Sequence, residues 1–113
     1  MLVKMESSSA GGGYKKLTAD LNNLITSITT RNASWTATDD CIMIGTVYTT
    51  TNTAAQVSFD GNVVVSMETN STSQPLTRVG YGNMGFAVPK GTVVTTRSDS
   101  SGNYNLKFYG IEK

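Results

Sequence analysis

From Ala33 onward, apolar and polar residues alternate with a period of two in short Thr- and Val-rich runs. This is the spacing of strands with one buried face. The runs span Ala33–Ala37, Cys41–Thr50, Ala54–Asp60, Asn62–Glu68, Pro75–Val88, Thr92–Ser98 and Tyr104–Ile111, and turn residues separate them. In Cys41–Tyr48, residues Ile42, Ile44, Thr46 and Tyr48 share one face, and Cys41, Met43, Gly45 and Val47 share the other. Both faces are largely apolar, which predicts a central strand covered on both sides. Asp60-Gly61 sits between alternating apolar residues, a strong hairpin signal. It directs Val57, Phe59, Val63, Val65 and Met67 inward. Pro89-Lys90-Gly91 suits a tight reversal with Pro at the first central position. Asp99–Asn103 reads as a second hairpin turn, leading into Tyr104–Tyr109.

One stretch follows a different period. Leu17, Leu21, Leu24 and Ile28 step by four, three and four, with Ile25 beside them and polar residues around them. That spacing predicts a short amphipathic helix or neck over residues 14–30. Two heptads are too short to stand alone in water, so the stripe must pack on its own domain or on neighbouring copies. The β-branched residues in Ile25–Thr30 keep a strand reading open. Ahead of it, Ser7–Gly13 has the composition of a flexible linker, either a natural hinge or a cloning scar. The chain thus divides into a flexible segment over 1–13, a helix or neck over 14–30 and a β-sandwich over 31–113. Strands without intervening helices favour an antiparallel sandwich or jelly roll, an all-β fold with one short N-terminal helix.

Composition narrows the chemistry. In 113 residues there is no histidine and one cysteine, and nine basic side chains face eight acidic ones. The missing imidazole removes the usual general bases, and Cys41, in an apolar run, reads as a buried thiol with nothing to activate it. Asp39-Asp40 lacks a nearby third carboxylate, so it reads as a turn whose side chains bond local backbone. No catalytic residue, metal site or cofactor is expected. No basic stripe predicts nucleic-acid contact, and no apolar run is long enough to span a membrane. Residues 1–13 lack the pattern of a signal peptide. The sequons at Asn32 and Asn70 are incidental in so Ser- and Thr-rich a chain. The uncharged runs Thr49–Ala54 and Thr69–Gln74 read as solvated loops. Gly80–Gly85, with three glycines around Tyr81, reads either as a plain turn or as a recognition loop. Trp35 reads as a packing residue at the junction with the sheet.

Several short motifs occur together: the stripe Leu17, Leu21, Leu24 and Ile28; the run Trp35–Gly45; Val88-Pro89-Lys90-Gly91-Thr92-Val93-Val94; and the ending Leu106–Ile111. In this combination the chain resembles the C-terminal head domains of bacteriophage tail-fibre and receptor-binding proteins, trimeric β-sandwiches that follow a short neck. It departs from them at Cys41, where such heads often carry Gly. The resemblance implies a homotrimer in the virion, made in the bacterial cytoplasm and contacting other virion proteins. It implies host attachment through a cell-surface glycan or protein receptor, or else a capsid-decoration or baseplate role without a receptor. On this basis Arg78, Tyr81 and Asn83 are candidate ligand contacts. Leu17, Leu21, Leu24, Ile28 and Trp35 are candidate oligomerisation residues.

Overall fold

A computed structural model describes residues 17–48, 54–68, 76–98 and 103–112. Nine strands run through them: β1 (Ala19–Ile28), β2 (Ser34–Thr36), β3 (Cys41–Tyr48), β4 (Ala54–Phe59), β5 (Asn62–Glu68), β6 (Leu76–Val79), β7 (Phe86–Val88), β8 (Val93–Ser98) and β9 (Asn103–Ile111). One sheet has the order β1-β9-β3-β6, with β7 also on β3; the other has the order β2-β8-β4-β5. All pairings are antiparallel. β6 pairs with Gly45–Tyr48 and β7 with Cys41–Met43, so they act as two pieces of one interrupted strand. Counted that way, the outermost strands pair with each other (β1 with β9), then β2 with β8, β3 with β6–β7, and β4 with β5. This nesting around the Asp60-Gly61 turn is the winding of a jelly roll.

The alternation places the core between the sheets. Val57 and Phe59 of β4, Val94 of β8, Met43 and Val47 of β3, and Leu106 and Phe108 of β9 are buried there. The β3 strand is central, as its two apolar faces predict. The hairpin turn at Asp60-Gly61 also forms: both residues have positive φ (51° and 83°), the type I′ pattern. Asp60 closes it further, because its Oδ1 accepts the Val93 N–H at 2.8 Å. Tyr104 ties the sheets together from β9. Its hydroxyl donates to the Arg97 carbonyl at 2.6 Å and accepts from the Gln56 N–H at 3.3 Å. Thr96 holds the β1–β2 connection, accepting from Ala33 N–H and donating to the Thr30 carbonyl.

Four expectations are corrected. The helix over 14–30 is not found: residues 19–28 are an edge strand on β9, and residues 14–16 lie outside the described residues. Ile25, Thr26 and Ile28 disfavour helix, and the strand satisfies the free edge of β9 while burying Ile28 beside Leu106. Pro89 occupies the first corner of its turn rather than a central position. Thr92 N–H bonds the Pro89 carbonyl at 3.1 Å, with Gly91 at φ 91°. That turn joins β7 in one sheet to β8 in the other, so it makes a corner and no hairpin. Likewise β8 and β9 belong to different sheets, so no hairpin joins them. Val63 is exposed, because a bulge puts the extra residue Val64 into β5 and reverses the alternation before Val65.

Candidate binding surface

The interruption of the β6–β7 strand is the most distinctive local feature. Gly45 pairs with Val79 and Met43 with Phe86, so the six residues Gly80–Gly85 leave the sheet opposite Ile44. They fold into a miniature hairpin. Tyr81 N–H donates to the Met84 carbonyl at 2.8 Å, and Met84 N–H donates to the Tyr81 carbonyl at 3.0 Å. Gly82 alone of the two central residues has positive φ, 64°, the type II′ pattern.

The neck of this hairpin admits only glycine. A Cβ on Gly80, whose φ is 87°, would strike the Met84 carbonyl, and one on Gly85 would strike the Met43 carbonyl oxygen. The far side is anchored as well, since the Asn83 carbonyl accepts the Ala19 N–H at 2.7 Å. The excursion therefore crosses from the β6–β7 edge to the start of β1, and backbone bonds hold it at both ends. It presents Tyr81, 78% exposed, and Met84, 53% exposed.

Of the three candidate ligand contacts, Arg78 is exposed on β6 and Tyr81 is exposed at the foot of the hairpin. Asn83 is half-buried, with its backbone carbonyl engaged by β1. The five candidate oligomerisation residues do not form one stripe. Ile28 is buried in the core of its own sandwich, and Trp35 packs tilted on Phe108 with ring centroids 4.8 Å apart. Leu17 is half-buried ahead of β1. Leu21 and Leu24, 54% and 51% exposed, remain on the edge of the sheet.

That edge is irregular. Between Ala19 and Leu24, β1 advances five residues while β9 moves two, from Ile111 to Tyr109. The slack is taken up over Asp20–Asn23, where the Asp20 carboxylate accepts the Asn22 N–H at 3.0 Å. Asn23 lies over Gly110, whose missing Cβ makes the room. Leu24 then stands opposite Tyr109, Tyr109 opposite Ile42, and Ile42 opposite Ala87, an apolar row on the outer face of this sheet. Ile42 is fully buried there, away from the inter-sheet core. The outer face of the other sheet carries Ser34, Thr36, Gln56, Ser58, Thr95 and Arg97 by the same alternation. Exposed Val63 and Val93, opposite Ser58 and Thr36, add two apolar positions to that face. Sequence reading singled out Tyr81 but missed Met84. The flanking glycines Gly80 and Gly85 carried a signal for the excursion, but periodicity carried none for its anchor on Ala19.

The adjacent carboxylates of Asp39 and Asp40 bond local backbone. Asp39 Oδ1 accepts Asp40 N–H and Asp40 Oδ1 accepts Lys90 N–H, both at 2.8 Å, so the pair braces the corner between the sheets. Burial, with Asp40 and Asp39 close in sequence, pushes the Cys41 thiol up to about 12. Burial also raises the Tyr104 phenol above its usual value. Among the described residues no group of three His, Cys, Asp or Glu side chains is placed to hold a metal ion, and no helix is long and apolar enough to cross a membrane. The loop runs Thr49–Thr53 and Thr69–Gln74 lie outside the described residues. No protein-family model, no curated protein and no solved structure matches the chain.

Proposed function

We propose that the chain is a non-enzymatic binding module of a phage particle. In this reading it is a jelly-roll head that works as a homo-oligomer, three copies in the arrangement the resemblance implies, and attaches to a cell-surface glycan or protein. The observation that carries this reading is the Gly80–Gly85 hairpin. A backbone fixed at both ends projects one highly exposed aromatic from a rigid scaffold. Preorganised aromatic anchors supply a disproportionate share of contact energy, because little conformational freedom is lost on binding. Tyr81 is the anchor, Arg78 a flanking polar contact, and Asn83 the residue whose carbonyl sets the hairpin's pose. Oligomeric display converts weak single contacts into avidity. A thiol held protonated and aspartates engaged with backbone support a binding role over a catalytic one.

A second reading is a capsid-decoration or baseplate piece that contacts other virion proteins without a receptor. The exposed Leu21 and Leu24 beside the hairpin favour it, since such apolar neighbours suit a protein surface better than a sugar. Binding of the purified chain to whole host-type bacterial cells and to a glycan array separates the two. The receptor reading expects saturable binding that Tyr81→Ala weakens by roughly ten-fold or more per site, the size of an interface anchor. Absence of cell and glycan binding, with co-assembly into virion pieces, selects the second reading.

A further inference from the structure

We infer that the outer face of the β1-β9-β3-β6 sheet binds the anionic group of an acidic sugar, held between Arg78 and Lys107 beside Tyr81. The inference rests on the receptor reading above and adds the chemistry of the ligand.

The Gly80–Gly85 hairpin lies across that face. A Cβ on Gly85 would strike the outward-facing Ile44 side chain, and the Asn83 carbonyl takes the Ala19 N–H on β1, beyond β9. Ile42, on the same face, is fully buried beneath this crossing. The arm that carries Tyr81 leaves after Val79, which pairs with Gly45. The arm that carries Met84 returns to Phe86, which pairs with Met43. At the sheet, therefore, Tyr81 stands on the side of Thr46 and Met84 on the side of Ile42.

On the Met84 side the hairpin borders Tyr109 and Leu24, which are apolar. On the Tyr81 side the surface is polar and cationic. One row across the sheet is Arg78, Thr46 and Asn105, and the next is Ile44, Lys107 and Ser27. Arg78, Asn105, Lys107 and Ser27 are all exposed. Arg78 and Lys107 lie on the strands either side of β3, about 12 Å apart between Cα atoms at ordinary strand spacings. Both side chains can therefore close on one anion seated over Thr46.

Charge on this surface has a single sign. Among the described outward-facing residues of β3, β6, β7 and β9, the charged ones are Arg78 and Lys107, with no carboxylate beside them. Along β3 the next carboxylate is Asp40, about 13 Å of strand from Ile44, and its Oδ1 already accepts the Lys90 N–H. Arg and Lys supply charge-assisted bonds to a carboxylate or a phosphate. Thr46, Asn105 and Ser27 offer hydroxyl and amide groups with little apolar area, which suits sugar hydroxyls better than the side chains of a peptide. The exposed Tyr81 ring adds a stacking face at the border.

The test is an NMR titration of the isotope-labelled full chain with glucuronate, with glycerol phosphate and, as the neutral control, with glucose. Saturable shifts at the Arg78, Thr46, Asn105 and Lys107 amides are expected with an anion, and affinity at least about ten-fold weaker with glucose. A response to glucuronate alone marks a carboxylate-bearing sugar; one to glycerol phosphate alone marks a phosphate-bearing polymer. Arg78→Gln/Lys107→Gln should weaken anion binding at least about ten-fold, the size of two exposed charge-assisted contacts. Lys90→Gln/Arg97→Gln, which removes equal charge away from this face, should leave it unchanged, and spectra of the free variants check their folding. Absence of a saturable response to either anion, an equal response to glucose, or an unaffected Arg78/Lys107 variant overturns the inference. So does cell binding that protease abolishes and periodate oxidation of the glycans spares, which assigns the receptor to an acidic protein. Anion binding without any binding to cells removes the receptor reading and leaves the site. Cell binding that needs Tyr81 but neither Arg78 nor Lys107 removes the inference and leaves the reading.

Discussion

Cys41 shows how a single position trades reactivity for packing. Its thiol is fully buried at the start of β3, and burial is the main reason its pKa lies near 12 rather than 9. A folded-state value above the unfolded one favours the protonated, folded form. That contribution is intact below the unfolded value of 9 and is lost as pH rises toward about 12. Tyr104, also raised, acts in the same direction. The melting temperature should therefore fall above pH 9, and fall less steeply in Cys41→Ala; a thiol reagent at pH 8 should label the native chain only as it unfolds. Tyr104 itself carries a second prediction. Tyr104→Phe removes the donor to Arg97 and the acceptor for Gln56, and should cost about 1–3 kcal/mol in denaturant unfolding, the price of stranded buried polar groups. Gly45 is less forgiving. A Cβ there meets the backbone carbonyl of Asn105 on β9, and Gly45→Ala should cost about 3 kcal/mol.

At the scale of elements, legibility followed how local the cause is. The Asp60-Gly61 turn was readable because two adjacent residues dictate it, and Gly61→Ala, at φ 83°, should cost about 1 kcal/mol by chemical denaturation without altering the fold. The centrality of β3 was readable because both of its faces are apolar. β1 was misread because Leu17, Leu21, Leu24 and Ile28 sit at helical spacing, whereas a second register shift, between Leu24 and Thr26, leaves Leu24 outward and Ile28 inward on a strand. A bulge destroys the period-two signal that would have announced the strand. The corner at Pro89–Thr92 was misread for a different reason: a type II turn looks the same in sequence whether its flanking strands pair with each other or pass to opposite sheets. Within the candidate surface, Tyr81 was legible from its glycines. The meeting of the hairpin with β1 was not, because Ala19 and Asn83 are joined only by backbone atoms, which leave no side-chain signature.

At the scale of the whole molecule, the nested pairing makes folding a long-range problem. Among the described residues only β4 and β5 pair with each other across a tight turn, and β1 must find β9 across nearly the full chain. Refolding should accordingly be slow for the size, in the millisecond-to-second range typical of sandwiches, as stopped-flow fluorescence of Trp35 would report. The same nesting has a consequence for division of the chain. Every pairing between named strands joins one of β1–β4 to one of β5–β9, and none lies within either group. A cut between Asp60 and Gly61 therefore yields two fragments that have no ladder of their own to form. Each should be unstructured by circular dichroism, and the mixture should regain the native spectrum. The jelly roll is in this sense a split protein already, two inert halves that acquire a shape only by interleaving.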